Sequence, residues 1–519
     1  MTSPVRTIQR AVSLAPAGGT IVLRAGTYHE SVTISARPVT IQNYPGEVVW
    51  LDGSVPVTGW VKSGAVWVKS GWTPRFDHTP SYTKGTADGT ASGWKFLNPA
   101  YPMAAHPDQV FVDGVALQQV DSLSKVTTGT FYLDEVTSEL SIGSDPTGKQ
   151  VRASDLAKAI SVRYDNVVLR GFGVRRYANS VWHIGAITLE RPGDVVENMV
   201  VNDNATIGIG VTNKDITLSN VTAERNGMLG VTAGKAYNFT MAHSRFIENN
   251  DERFNSSPAS GGVKIGRSRG LTIKNNSFIR NFSKGLWMDE SVYDAKVIGN
   301  NIVENTSHGL SFEISSRGVF ANNLVLRNKG AGFKINDSDK IELWNNTFVG
   351  NGRAVNLVQD TRRGYQTSTP GHDPQQPNPD PTMSWILGDI TLYNNVISNA
   401  GGVADCMVCV EDYSHEFAAQ DMRLKYSGNL YNRPADAPTR FAIWSTGAGS
   451  PSAFLNLTAF RTATGQDTGS VLYDGTTVVA SDGVMSTSNT AGAVPLPSTT
   501  ATLVGQPVGT KALGAWLGR

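Results

Sequence analysis

Charge of either sign is scarce in this chain, and long apolar runs are absent. Charged residues make up 17% of 519 and the net charge is +1, which argues against a general binder of nucleic acid or polyanions. No apolar run approaches the length of a membrane span, so no membrane partner is expected. No basic-plus-apolar leader precedes the first elements, so any export signal would already be missing from this numbering. Cysteine is limited to Cys406 and Cys409, a C-x-x-C pair. Zinc there would need two further ligands and only His415 lies close in sequence, so a short-loop disulfide or two plain thiols is expected. The Leu-x-x-Leu-x-Leu frame of leucine-rich repeats is missing. What remains, 53 glycines and 40% hydrophobic residues, suits a globular chain with a long continuous core.

That core is written as a repeat. Small residues at Ala186, Gly208, Gly230, Gly262, Gly285, Gly309, Gly332 and Ala354 each open an apolar run, at steps of 22, 22, 32, 23, 24, 23 and 22. A period in the low twenties points to a solenoid with one coil per repeat. Positions one and three after each anchor are apolar, as in Leu286/Met288, Leu310/Phe312 and Phe333/Ile335. This is period-two alternation, so the runs are strands with one face buried. A second strand ends in an Asn pair at Asn275-Asn276, Asn300-Asn301, Asn322-Asn323, Asn345-Asn346 and Asn394-Asn395. Asn tolerates the left-handed backbone that a sharp bend needs, and stacked amides can bond along a ladder. The expected fold is all-β, a right-handed parallel β-helix with an N-terminal capping helix and an inserted β subdomain.

Four regions follow. Residues 1–53 hold the cap, with helical spacing from Thr7 to Ala15, and the first coils. Residues 54–150 form the inserted subdomain, with hairpin-like AVWVK, QVFVDG and TFYLDE around an aromatic loop holding Trp72, Phe76, Tyr82, Trp94, Phe96 and Tyr101. Residues 151–400 are the main β-helix, and 401–519 are C-terminal coils and an extension with a short helix from Ser450-Pro451 through Phe460. The N-x-S/T sequons fall within the turn-rich repeat and carry little weight as glycosylation signals.

Two irregularities locate a site. The 32-residue step contains ten extra residues, NDERFNSSPA, before the strand opening at Gly262, and a Pro-rich excursion from Gln359 to Ser384 leaves after the strand opening at Ala354. Both should rise as walls beside one sheet, and long loops on a rigid scaffold are usually functional. On that sheet's outward positions, Asp289 and Glu313 share a register in adjacent coils and are expected to face solvent about 4.8 Å apart. Glu190, four coils away, is too distant to join them. Gly234 and Gly266 leave a bare floor, and Trp287 offers a stacking face. Two carboxyls about 5 Å apart suit retaining glycoside hydrolysis, and like charge at that distance pushes their pKa values apart. The competing explanation is a solvated acidic step balanced by Lys264 and Lys334, or a structural cation site. Substrate-binding candidates are Lys264, Trp287, Lys334, Asp251, Glu252 and Arg253.

GLWMDE, followed one coil later by a Glu-bearing strand and SSRGVFANNLV, resembles the parallel β-helix glycoside hydrolases typified by β-xylosidases and their xylanase and α-L-fucosidase relatives. TIVLRAGTYHESVTI, VVWLDGS and QVFVDG look like the N-terminal part of such enzymes. The resemblance implies Asp289 as nucleophile and Glu313 as acid/base. The chain departs from the pattern in one place, a second acid, Glu290, directly after Asp289, which is carried as a third catalytic candidate. It also implies an oligo- or polysaccharide substrate, no metal, no other cofactor and an extracellular setting, with a cytoplasmic one left open. SGGVKIGRSRG resembles a second group, polysaccharide lyases and uronate epimerases, in which Lys264 would be the base, Arg253, Arg267 and Arg269 would serve the substrate, and calcium could be required. A non-catalytic glycan-binding solenoid is the third alternative. No residue pattern bears on oligomeric state.

Overall fold

The structure, a computed structural model, describes residues 4–91, 93–362, 372–399, 405–434, 440–487, 490 and 492–516. The chain forms two compact units, Met1–Thr232 with Ile247–Gly261 and Ala233–Phe246 with Gly262–Arg519. Each is built from parallel β-helix coils, and the fold is the right-handed parallel β-helix. No helix among the described residues is long and apolar enough to cross a membrane.

In the first unit a helix at Ile8–Leu14 begins at Thr7, whose side chain accepts from the Arg10 amide, and buries Ile8, Ala11 and Val12. Its Gln9 side chain then exchanges two hydrogen bonds, of 2.8 and 3.2 Å, with the backbone of Thr33. Thr33 lies on the strand Val32–Ile34, which starts a parallel stack continued by Ile160–Val162, Ile187–Leu189 and Ile207–Val211. The Gln9 amide therefore occupies backbone groups of a strand edge that would otherwise be free to pair with another chain. The expected insertion pairs its longer strands antiparallel, Thr130–Asp134 with Glu139–Ile142 and Glu139–Ile142 with Val66–Ser70, and adds the short parallel strand Gln118–Gln119 beside Thr130–Asp134. It has its own core around Trp72, Phe131, Leu140 and Ile142.

In the second unit the strands Lys284–Asp289, Leu310–Glu313, Ala331–Asn336, Arg353–Gln359, Cys406–Asp412 and Arg440–Trp444 stack in parallel. Leu286, Leu310, Phe333 and Val355 form one inward column and Met288, Phe312, Ile335 and Leu357 the next, all at most 1% exposed. Each such side chain contributes roughly 1.5–3 kcal/mol by leaving water. The Asn ladder is present. Asn300 donates to Asn323 Oδ1 at 3.0 Å and to the Ile273 carbonyl at 3.0 Å, while its own Oδ1 accepts from the amide and side chain of Asn276. The same pattern continues through Asn323, Asn346, Asn395 and Asn429. In most pairs the first Asn takes the left-handed bend, as at Asn275, Asn322, Asn345 and Asn394. At Asn300-Asn301, Gly299 takes the bend and Asn300 itself is the ladder member.

Two expectations need revision or completion here. The C-terminal helix spans Leu457–Thr464 with Asn456 as its cap, because Ser452–Phe454 pairs antiparallel with Arg440–Trp444 and cannot also be helical. Cys406 and Cys409 are buried and joined as a disulfide, resolving the two options left by their spacing. The expected domain limit at residue 400 lies outside the described residues.

Candidate active site

Position four is the last residue of each strand before the chain turns, and the turns of successive coils are hydrogen-bonded to one another. Lys235 N donates to Gly266 O, Arg267 N to Glu290 O, Ser291 N to Ile314 O, Ile314 N to Asn336 O and Asp337 N to Val358 O. The bends are left-handed at Lys235, Arg267, Glu290, Ser291, Ile314 and Asp337. Ile314, with φ 41°, is a β-branched residue held there directly after Glu313, a conformation that costs on the order of 1–3 kcal/mol and persists only where the surroundings impose it. The register Met288↔Phe312 therefore sets Asp289 beside Glu313 on neighbouring strands.

The expectation that both carboxylates face solvent fails. Asp289 is only 6% exposed, and the side chain of Glu313 only 13%. Cover comes from basic side chains and from the Pro-rich excursion. Lys264 Nζ lies 3.0 Å from Asp289 Oδ2. Arg362, on the outgoing limb of the excursion, donates to Glu313 Oε1 at 2.6 Å, and Trp287 Nε1 donates to Glu313 Oε2 at 3.2 Å. The returning limb is pinned by Asp373, which accepts from the Tyr237 hydroxyl, by an ion pair between Asp380 and Arg269, and by Ser384 on Asp339. Its Trp385 and Met383 bury against Ile314. Residues 363–371 of the excursion lie outside the described residues.

Trp287 is not the open stacking face expected from its outward position. It is 4% exposed, with Lys264 Nζ 3.8 Å and Lys284 Nζ 3.5 Å from its ring centroid. The ring is committed to two cations and to Glu313, so it organises charge rather than presenting a surface. Space beside the carboxylates is kept by glycine instead: a Cβ on Gly266 would sit 3.4 Å from the Asp289 carbonyl, and one on Gly234 would meet nothing within 4 Å.

Burial and the neighbouring acids raise Asp289 to about 6, against the pull of Lys264. Burial acts the same way on Glu313, but Arg362 and Lys334 outweigh it and hold that carboxyl below the ordinary glutamate range. Burial pushes Lys284 down to about 8, and pushes His308 down to about 3 with help from Lys284. His308 Nδ1 accepts from the Ala331 amide at 2.9 Å, which leaves the proton of the neutral ring on Nε2. Behind Arg362, Asp337 and Asp360 crowd together. Burial and Asp360 raise Asp337 to about 9, while hydrogen bonds from Asp337 and Arg362 hold Asp360 below the usual carboxylate range. Ser311, between Trp287 and Lys334 in register, is fully buried and its hydroxyl has no hydrogen-bond partner among the described residues.

Of the other expected residues, Lys334 joins this group through its effect on Glu313. Glu290 takes a different place from Asp289. It occupies the left-handed turn and pairs with Arg267 at 2.8 Å. Asp251, Glu252 and Arg253 belong to the first unit, on a loop whose Asn255 is clamped to the backbone of Lys95, Phe96 and Leu97. Glu252 is half-buried there, and loss of hydration raises its carboxyl to about 8. Glu190 is held by Thr188 and Arg163. Lys284, His308 and Arg362 were not anticipated. Lys284 and His308 each directly precede an anchor glycine, which the count of positions two and four passes over, and that shared placement is the signal that could have found them. Arg362 lies past the end of its strand, where no periodicity applies.

Residues 185–351 match the family model described as a right handed beta helix region. No curated protein matches the chain. Among solved structures it is similar to XylC in complex with xylose, at 15% identity and TM-score 0.61 over 85% of this chain and 83% of that one. It is also similar to a PL6 alginate lyase complexed with a trisaccharide, at 11% identity and TM-score 0.43 over 91% and 93%. The A-module of the Azotobacter vinelandii mannuronan C-5 epimerase AlgE4 aligns at 13% identity and TM-score 0.32 over 84% and 88%. At these identities the likeness is one of fold, and the first of the three supports the parallel β-helix described above.

Proposed function

We propose that this protein cleaves O-glycosidic bonds of an oligo- or polysaccharide through the carboxylate pair Asp289 and Glu313. The observation that carries this is their shared register on adjacent strands combined with unlike environments. One carboxyl is raised to about 6 and the other held ionised by a guanidinium, an indole N–H and a nearby ammonium. Retaining hydrolysis needs one protonated and one ionised carboxyl about 5 Å apart, and adjacent strands supply that spacing. The charge pattern of the free site favours Glu313 as the ionised nucleophile and Asp289 as the proton donor and later base, the reverse of the order implied by the family resemblance. Lys264 would stabilise Asp289 after it gives up its proton. A β-helix similar to one solved with xylose, and a disulfide suited to an oxidising compartment, fit a secreted enzyme of this kind.

The two role assignments give opposite results with Asp289→Asn and Glu313→Gln on an activated aryl glycoside. The acid/base variant keeps a glycosylation burst and is rescued by azide, with the glycosyl azide retaining configuration, whereas the nucleophile variant is inactive on every substrate. Asp289→Asn is expected to be the rescued enzyme. Rescue of Glu313→Gln alone would restore the order of the resemblance, and full activity of both variants would remove the pair from the mechanism.

A second reading is favoured by one observation, the concentration of Lys264, Lys284, Lys334 and Arg362 around two acids. This basic excess suits a uronate, and Lys284, which burial lowers to about 8, is a candidate base beside Lys264. New ultraviolet absorbance from an unsaturated uronide, without release of aryl alcohol, would identify β-elimination.

A further inference from the structure

The inserted subdomain of the first unit carries a cluster that the glycosidic chemistry does not use. His78 stands near the start of the aromatic loop, and His106 and Asp108 at its end, just before the strand Val110–Val112. One donor atom from each of these three residues lies within 4.8 Å of the others. The two imidazole rings are 4.0 Å apart by centroid, and Glu135, beyond the strand Thr130–Asp134, brings its Oε1 within 3.3 Å of His78 Nε2.

The polar accounting of this cluster is incomplete. Asp108 is only 8% exposed, yet among the described residues neither of its carboxylate oxygens has a hydrogen-bond partner. His78 Nε2 is likewise buried without one, and its 3.7 Å approach to Asp108 Oδ2 is too long for a hydrogen bond. Buried carboxylates are ordinarily hydrogen-bonded or bound to a cation, because leaving one bare costs several kcal/mol in order-of-magnitude terms. Two imidazoles and a carboxylate, with a second carboxylate adjacent, form a donor set of the zinc class. Calcium and magnesium prefer oxygen donors alone.

We propose that His78, His106 and Asp108 bind one divalent transition-metal ion of the zinc type, which ties together the two ends of the aromatic loop. This goes beyond the expectation of a metal-free protein. The ion's role is structural, because the bond it makes closes the long segment between His78 and His106.

The test uses the full chain, stripped with chelator and dialysed, titrated with zinc chloride and then with calcium chloride. Expected are one equivalent of zinc bound, a rise in Tm of about 3 °C or more at a hundredfold excess over Kd, and slower tryptic cutting at Lys84 and Lys95 inside the loop. Asp108→Asn and His106→Gln, each checked for folding by circular dichroism, should lose the zinc equivalent and the Tm shift together. Zinc uptake unchanged in both variants, no stoichiometric uptake by the parent chain, or an equal shift with calcium would each overturn the proposal.

Discussion

The Asn ladder and the carboxylate edge of the second unit are both rows of buried polar side chains repeated coil by coil, and they differ in one respect. In the ladder every member from Asn276 to Asn395 donates up the stack and to a backbone carbonyl, and the row carries no charge. At the carboxylate edge, neighbouring positions change from Gly266 to Asp289, Glu313, Asn336 and Val358, and the groups around them are ionised, shifted or, like Ser311, unpartnered among the described residues. Complete satisfaction marks a row that holds the fold. Incomplete satisfaction, in the same architecture and at similar burial, is what the proposed function requires of a row that meets a substrate.

The sharpest way to break this contrast is to change one member of each row. Glu313→Gln should lower turnover on natural linkages by about 10³-fold or more, while its amide oxygen still accepts from Arg362 or Trp287 and keeps the loss of stability below that of a ladder variant. Asn323→Ala should do the opposite, costing about 2–4 kcal/mol because it strips partners from Asn300 and Val297, with kcat per folded molecule preserved. A stability loss at Glu313 equal to that at Asn323 would erase the distinction.

Dependence on pH comes next in size. A hydrolase using this pair needs one proton on it, so kcat/KM should fall as pH rises through about 6, the value for Asp289. Elimination with Lys284 as base would instead gain rate as pH rises toward about 8. Stability follows from the same shift. Asp289 is raised in the folded state, so its contribution is greatest below the unfolded carboxylate value and is lost as pH climbs through about 6. The difference in unfolding free energy between the parent and Asp289→Asn should therefore fall by about 1 kcal/mol from pH 5 to pH 7. Taking the difference between the two proteins removes the opposite slope contributed by His308, which is lowered. The smallest effect expected is that of chelator on hydrolysis: turnover per folded molecule should not change, since no step at the carboxylate pair uses a cation. Its abolition, with recovery on adding calcium, would favour the lyase chemistry.

Much of the fold was legible because the solenoid repeats its own rules. Alternation at Leu286/Met288 and its counterparts predicted strands that the structure contains, and the Asn pairs marked bends that lie where they were placed, apart from the shift of one residue at Asn300. The helical spacing at Ile8, Ala11 and Val12 marked a real helix because those three side chains are buried on one face. The C-terminal helix was misplaced because a strand pairing at Ser452–Phe454, distant in the alternation pattern, overrode a favourable Ser-Pro start. At the site, register alone put Asp289 and Glu313 side by side. Their burial, the loss of Trp287 as an open face, and the presence of Arg362 depend on how an irregular excursion folds back, and periodicity does not describe irregular segments.

The left-handed turns after position four have a further consequence. They are held to their neighbours by backbone hydrogen bonds and by a file of serine hydroxyls, Ser268, Ser315 and Ser338, that donate to the position-four carbonyls, and none of these bonds uses the position-four side chain. Under the proposed function, a carboxylate pair at this corner would be portable along the stack only together with counterparts of Lys264, Trp287 and Arg362. Exchanging the residues at position four between coils would carry the pair about 4.8 Å along the axis per coil while every backbone contact stayed in place. Where along a bound chain the cut falls is then a matter of address rather than of architecture, and a family of such proteins could diverge in cutting position without ever rebuilding its scaffold.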